Sequence, residues 1–183
     1  EYEGKYGNSY TITYTGDEEV VCIKDDITID SSIAGTIWIK LEGAKFRFEN
    51  NSIVFVGNDQ HQNAYLELNN DAEFIGCSIK GYVFTDEYIE IDEPGACISA
   101  SDKSIVFENC DISDTYVESD SLTIDGCKVS NCMIYATGDV EILDSKNLKP
   151  DMHFSNIGTY GSEITFNTTN TIYIDTLGQA SVF

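Results

Sequence analysis

Ile105-Val106-Phe107-Glu108-Asn109-Cys110-Asp111-Ile112 and, soon after it, Leu122-Thr123-Ile124-Asp125-Gly126-Cys127-Lys128-Val129 are two copies of one phrase. Apolar residues hold its first, third and eighth positions, with a small polar turn before the last. Phe46-Arg47-Phe48-Glu49-Asn50-Asn51-Ser52-Ile53 and Ala72-Glu73-Phe74-Ile75-Gly76-Cys77-Ser78-Ile79 keep the same frame, and Val140-Glu141-Ile142-Leu143-Asp144-Ser145 begins a looser copy. Alternate side chains of a strand face opposite sides, so the first and third positions share one face. A strand, a turn and a further inward apolar residue, repeated along the chain, is what one corner of a stacked coil requires.

The phrases begin at residues 46, 72, 105, 122 and 140, so the repeat is regular only in the middle. A second series, Cys97-Ile98-Ser99-Ala100, Asp114-Thr115-Tyr116-Val117 and Cys132-Met133-Ile134-Tyr135, lies eight residues ahead of its phrases. Two short strands and two turns leave room in each repeat for a third. This predicts an all-β chain, a right-handed parallel β-helix (β-solenoid) with irregular coils of about 17–26 residues stacked about 4.8 Å apart. The left-handed kind carries a strict six-residue period that is absent here. An antiparallel β-sandwich is the alternative, because short strands with polar turns every ten or so residues also describe one.

Residues 1–183 read as a single solenoid domain: 1–16 as an N-terminal strand acting as cap or contact segment, 20–175 as coils and 176–183 as a tail. Neither end shows the amphipathic helix that would plug a solenoid. An uncovered end coil offers unpaired backbone groups to another chain. Thr36-Ile37-Trp38-Ile39-Lys40-Leu41 alternates so that Trp38 faces outward. The first residue is Glu1, which fits either a removed signal peptide or a start inside a longer chain.

The net charge of −22, from 10 Lys and Arg against 32 Asp and Glu, excludes nucleic acid as a partner, since phosphate binding needs clustered cations. Arg47 is the single arginine. No apolar run is long enough to insert in a membrane. Six cysteines, Cys22, Cys77, Cys97, Cys110, Cys127 and Cys132, form no zinc spacing, and an even number favours an oxidising, extracellular location. Cys110 and Cys127 share a phrase position on successive coils, at a separation a disulfide tolerates; stacked free thiols are the other reading. Cys77 is an alternative partner for Cys110. Cys97 and Cys132 read as equivalent but two coils apart, roughly 10 Å, too far to bridge directly. Those two and Cys22 are left to pair off the frame, stay reduced or link to another subunit.

Carboxylates are too abundant on this chain to point to catalysis, so the basic groups decide. Arg47 sits on an outward strand position, His61 in the polar loop 57–63 and His153 near a late turn, and none stands in a pectin-hydrolase signature. The expectation is therefore no enzyme and no cofactor, with a polysaccharide lyase or hydrolase as an alternative. Asp102, Asp120 and Asp139 follow successive strands and are weak Ca²⁺ candidates if their turns stack. Asn50 and Asn167 open Asn-x-Ser/Thr sequons and are glycosylation candidates.

The phrases Phe-Glu-Asn-Cys-Asp-Ile, Ile-Asp-Gly-Cys-Lys-Val and Phe-Ile-Gly-Cys-Ser-Ile resemble the right-handed β-helix repeats of extracellular archaeal and bacterial surface proteins. Over roughly residues 20–175 the chain looks most like sheath and cell-surface structural proteins of methanogenic archaea. That resemblance implies a disulfide-strengthened coat whose partner is another copy of itself. A glycan-binding adhesin module, using Trp38, Tyr82, Tyr88 and the loops 57–63 and 80–95, is the other binding reading.

Overall fold

The structure, a computed structural model, describes residues 7–33, 35–57, 62–86, 91–145, 152–159, 163–177 and 181–182. Three ladders of parallel strands run the length of the molecule. The first stacks Gly7–Thr13, Thr36–Glu42 and Ala64–Leu68 under residues 96–100, 115–119, 132–136, 156–159 and 176–177. The second stacks Val20–Ile23, Lys45–Glu49 and Ala72–Ile75 under 104–108, 121–125, Val140–Leu143, Glu163–Asn167 and Ser181–Val182. The third stacks Ile27–Asp30, Ser52–Val56, Ser78–Lys80 and Asp111–Ser113 under 128–130, 152–154 and 172–174. One pass through all three is a coil, and the described residues make seven coils and begin an eighth.

This is the parallel β-solenoid that the repeated phrase predicts, and the sandwich alternative is excluded. The phrase is the second-ladder strand, a corner and the start of the third-ladder strand. Among the described residues the one antiparallel pair is a hairpin, Val83–Asp86 with Ile91–Pro94, outside the main sheet.

Coil length is more variable than expected. Ile105 pairs with Leu122 across one short coil, whereas Ala72 pairs with Ile105 across a coil nearly twice as long. The hairpin accounts for the long coil, because it is spliced into the corner between the third and first ladders, where added chain leaves the core untouched. A second correction concerns the fixed eight-residue offset. Cys97 pairs with Tyr116 and Tyr116 with Met133, so Cys97 and Cys132 are not equivalent. The register slips between Ala100 and Ser104, at a bulge that includes Asp102 with φ 59°. Cys97 lies on the outside of its ladder between Tyr65 and Tyr116, while Cys132 faces the core with Ile134 and Ala136.

The core is a set of columns. Phe48, Phe74 and Phe107 stack through successive coils with ring centroids 4.6 and 4.9 Å apart. Ile53, Ile79, Ile112, Val129 and Met152 form a column on the third ladder, and Leu66, Ile98, Val117, Ile134 and Ile157 one on the first; all are buried. The corner between the second and third ladders explains the polar half of the phrase. Asn50, Gly76, Asn109 and Gly126 take φ of 51°, 65°, 52° and 62°, a left-handed bend that Gly and Asn adopt at least cost. The next residue, Asn51, Cys77, Cys110 or Cys127, is then buried. Ser78 N donates to Asn51 O (3.0 Å), Asp111 N to Cys77 O (2.9 Å) and Lys128 N to Cys110 O (2.8 Å), which locks these corners on top of one another.

Phe74 is the middle ring of its column and is wholly buried. Phe74→Ala is expected to cost about 3–5 kcal/mol in equilibrium denaturant unfolding, the range for emptying a rigid aromatic site. A loss under about 1 kcal/mol would show that the column is loosely packed.

Candidate functional site

Two surfaces stand apart from the acidic exterior. One is a strip on the outside of the first ladder, where the register brings Trp38, Tyr65, Cys97, Tyr116 and Met133 into one column. Trp38 and Tyr65 stack with centroids 4.4 Å apart and planes 13° from parallel. Cys97 is held between Tyr65 and Tyr116 and is 5% exposed although it lies on the outer side of the sheet. Burial raises the pKa of the Tyr65 and Tyr116 phenols; for Tyr116 the neighbouring Glu118 adds to this, and for Tyr65 a hydrogen bond from Asn63 Nδ2 (2.9 Å) opposes it. Beside the strip runs a polar column of Lys40, Glu67, Ser99, Glu118 and Tyr135, with Lys40 Nζ 3.4 Å from Glu67.

Rings stacked along the solenoid axis spend their faces on one another. Sugar binding on aromatics uses an open ring face, and one face of Trp38 is covered by Tyr65. Tyr82 is similarly engaged. Its ring lies over Gly57 and Gly95, where a Cβ would collide with it, and its hydroxyl meets Ser31 Oγ at 3.0 Å and the Gln62 carbonyl. Tyr82 thus clamps the corner between the third and first ladders across several coils. Tyr88 and His61 lie outside the described residues.

The second surface is the mouth of the first coil. Tyr10 and Ile12 are 53% and 56% exposed, and behind them opens an apolar recess of about 440 Å³. Ile23, Ile27, Ile37, Ile39, Phe46 and Leu66 line it, so the core columns run straight out to the surface here. Among the described residues no helix or strand lies across this mouth. The flanking corners carry Asp17, Glu18, Glu19, Asp25 and Asp26, all exposed.

The remaining residues singled out in the sequence are dispersed. Asp102, Asp120 and Asp139 do not form one column. Asp120 stacks with Gly138, whose N–H donates to its carbonyl (2.5 Å), and accepts from Thr137 Oγ1 (2.9 Å), while Ser104 Oγ meets Ser121 Oγ at 2.7 Å on the adjacent column. Among the described residues no three His, Cys, Asp or Glu side chains are grouped to hold a metal ion. Arg47 and Lys45 both bind Glu73, each at 2.5 Å, and these bonds, with Lys45 the largest cause, hold the Glu73 carboxyl below its ordinary value of 4.5. His153 Nε2 meets Asp175 Oδ2 at 3.0 Å. Asn50 is exposed at its left-handed corner and Asn167 is exposed at the end of Glu163–Asn167.

All six cysteines are thiols in this structure, and Cys22 alone is exposed. Cys77, Cys110 and Cys127 form an internal ladder in which Cys77 Sγ donates to Asn51 Oδ1 (3.2 Å), Cys110 Sγ to Phe74 O (3.2 Å) and Cys127 Sγ to Asp125 O (3.4 Å). A thiol bond to Cys127 is the main influence pushing Cys110 up to about 12, and burial pushes Cys97 and Cys132 to about 12. Cys77 is raised further, chiefly by its bond with Cys110. Groups so far from the thiolate are poor nucleophiles and poor metal ligands.

The chain was compared with protein-family models, with curated proteins and with solved structures, and none of them matches it.

At pH 8, a maleimide is expected to label one thiol of the native protein, Cys22, and six after denaturation without reductant. Four labelled after denaturation would show that a disulfide forms, with Cys110–Cys127 the first pair to map. Glu73 makes stability depend on pH in a defined direction: its folded value is lowered, so its contribution is complete above about pH 5 and is lost as the pH falls through the folded value. The stability difference between wild type and Glu73→Gln should therefore shrink from neutral pH towards pH 3 in parallel urea titrations. A difference that stays constant would remove the ion pairs as its source.

Proposed function

We propose that this chain is a structural, non-catalytic subunit of an extracellular coat or filament that assembles with copies of itself through the ends of the solenoid. The apolar mouth of the first coil carries this reading. An interior lined by isoleucine, leucine and phenylalanine opens there beside a strand, Gly7–Thr13, that is paired on one edge only among the described residues. Unpaired strand edges next to apolar surface are templates for a further coil. The high negative charge supports the same reading, because it opposes random clumping along the sides and leaves the ends as the places where association gains most.

A covered first coil also needs no new backbone geometry. A copy arriving at the mouth would extend hydrogen-bonded ladders whose spacing is already set. The engaged faces of Trp38 and Tyr82 take weight from the glycan-binding alternative, and the raised pKa values of Cys77, Cys97, Cys110 and Cys132 take weight from thiol catalysis.

Sedimentation velocity across a wide concentration range, at native-like salt, tests the proposal. Wild type is expected to shift to larger species as concentration rises, with filaments or layers in negative-stain images. Ile12→Asp, which puts a charge on the exposed end of the column that continues through Leu41 and Leu68, should return the protein to monomer, with circular dichroism showing that the coils remain folded. Monomer at every concentration for wild type would sink it.

A further inference from the structure

Resting on that self-assembly reading, we propose that copies stack head to tail: the last coils of one copy meet the first coil of the next, in the register that sets Ser181 against Val20.

Column continuity is the first argument. Val20 pairs with Lys45, Ser104 with Ser121, and Glu163 with Ser181, all at one position of the second ladder, so Val20 and Ser181 mark the same column at opposite ends. The inward columns match as well. At the mouth they end in Val21, Ile23 and Ile27, and towards the other end in Phe166 and Ile172, and all five are partly buried apolar side chains packed on the core. Stacked head to tail, apolar column meets apolar column, and the recess is filled from the next copy.

Strand direction is the second. All three ladders are parallel, and a further coil of the same circulation continues them. Two copies joined head to head are related by a two-fold axis and circulate in opposite senses, so the facing coils lose the parallel register at the mouth.

Charge is the third. The first coil carries Asp17, Glu18, Glu19, Asp25, Asp26 and Asp30 against Lys24 alone, whereas residues 163–177 carry only Glu163 and Asp175 and turn their corner through Thr168, Thr169, Asn170 and Thr171. Head-to-head contact would set two acidic rims within the screening length of about 8 Å at physiological salt, and head-to-tail contact sets one acidic rim against a nearly neutral end.

Engineered cysteines read the orientation directly, because stacked coils bring Cα atoms within the roughly 4.4–6.8 Å that a disulfide accepts. In a Cys22→Ser background, the double variant V20C/S181C is oxidised mildly and run on a non-reducing gel beside the two single variants. The expected result is a ladder of covalent multimers from the double variant, a mixture of V20C and S181C giving mixed dimers, and neither single variant cross-linking alone. Dimers from V20C alone would overturn the polarity while leaving end-to-end assembly in place. No cross-link from any variant at concentrations where wild type sediments as large species would overturn the register. If wild type does not sediment as larger species, the assembly reading itself fails.

Discussion

Hydrogen bonding between coils sets each side chain almost directly on its counterpart one coil below, at about 4.8 Å, and the rest of the molecule follows from that spacing. Inside, it favours like on like: three phenylalanines in one column, isoleucines in another. Outside, it makes neighbours of residues that are a whole coil apart in the chain, so charge must be arranged vertically. Lys40 lies over Glu67, Arg47 over Glu73 and Asp111 over Lys128. Glu67 and Glu118 occupy one column but are kept apart by Ser99. Glu108 lies over Asp125, and there Asp125 accepts hydrogen bonds from the Ser145 amide (2.8 Å) and hydroxyl; Asp139 likewise lies next to Glu163, whose amide donates to Asp139 Oδ1 (3.3 Å). A chain of this net charge can stack because most of the acids among the described residues sit on corners or beside neutral neighbours.

Such vertical constraints leave traces in sequence only where coils are of equal length. Residues 105–129 fit two consecutive coils without insertion, so the strand, the left-handed corner and the inward cysteine can be read there directly. Before residue 105 the same elements exist, but the hairpin of Val83–Asp86 with Ile91–Pro94 and the extra residues between Val56 and Ala64 break the count. The column of Trp38, Tyr65, Cys97 and Tyr116 was therefore not legible, since no two of its steps along the chain are of equal length. Aligning the alternating strands rather than counting residues is the signal that would have found it. The eight-residue offset failed for a related reason, because a bulge in one corner displaces every residue before it relative to the next strand. Tyr10 and Ile12 were visible as part of a terminal contact segment, yet only the three-dimensional ring of isoleucines behind them shows that the core is open there.

The internal cysteines show how one position can satisfy several demands. After a left-handed residue the chain needs a small side chain that fits under the corner and has some use for nearby carbonyls. Asparagine meets this at 51 with an amide that donates to Asp25 O (2.9 Å), and cysteine meets it at 77, 110 and 127 with a weak thiol donor. Packing alone accounts for the ladder, and the raised pKa values of Cys77 and Cys110 are a by-product of mutual contact and burial.

Direction of load distinguishes this architecture from a globular domain. The peptide chain runs around the tube, and the hydrogen bonds run along it. Force across the faces is carried by covalent backbone, while force along the axis is carried by rows of hydrogen bonds and can open the tube one coil at a time from an end. The molecule is therefore stiff as a hoop and peelable as a rod. The clamp of Tyr82 across the corner glycines is placed where it would resist such peeling, between the first coils and the regular middle.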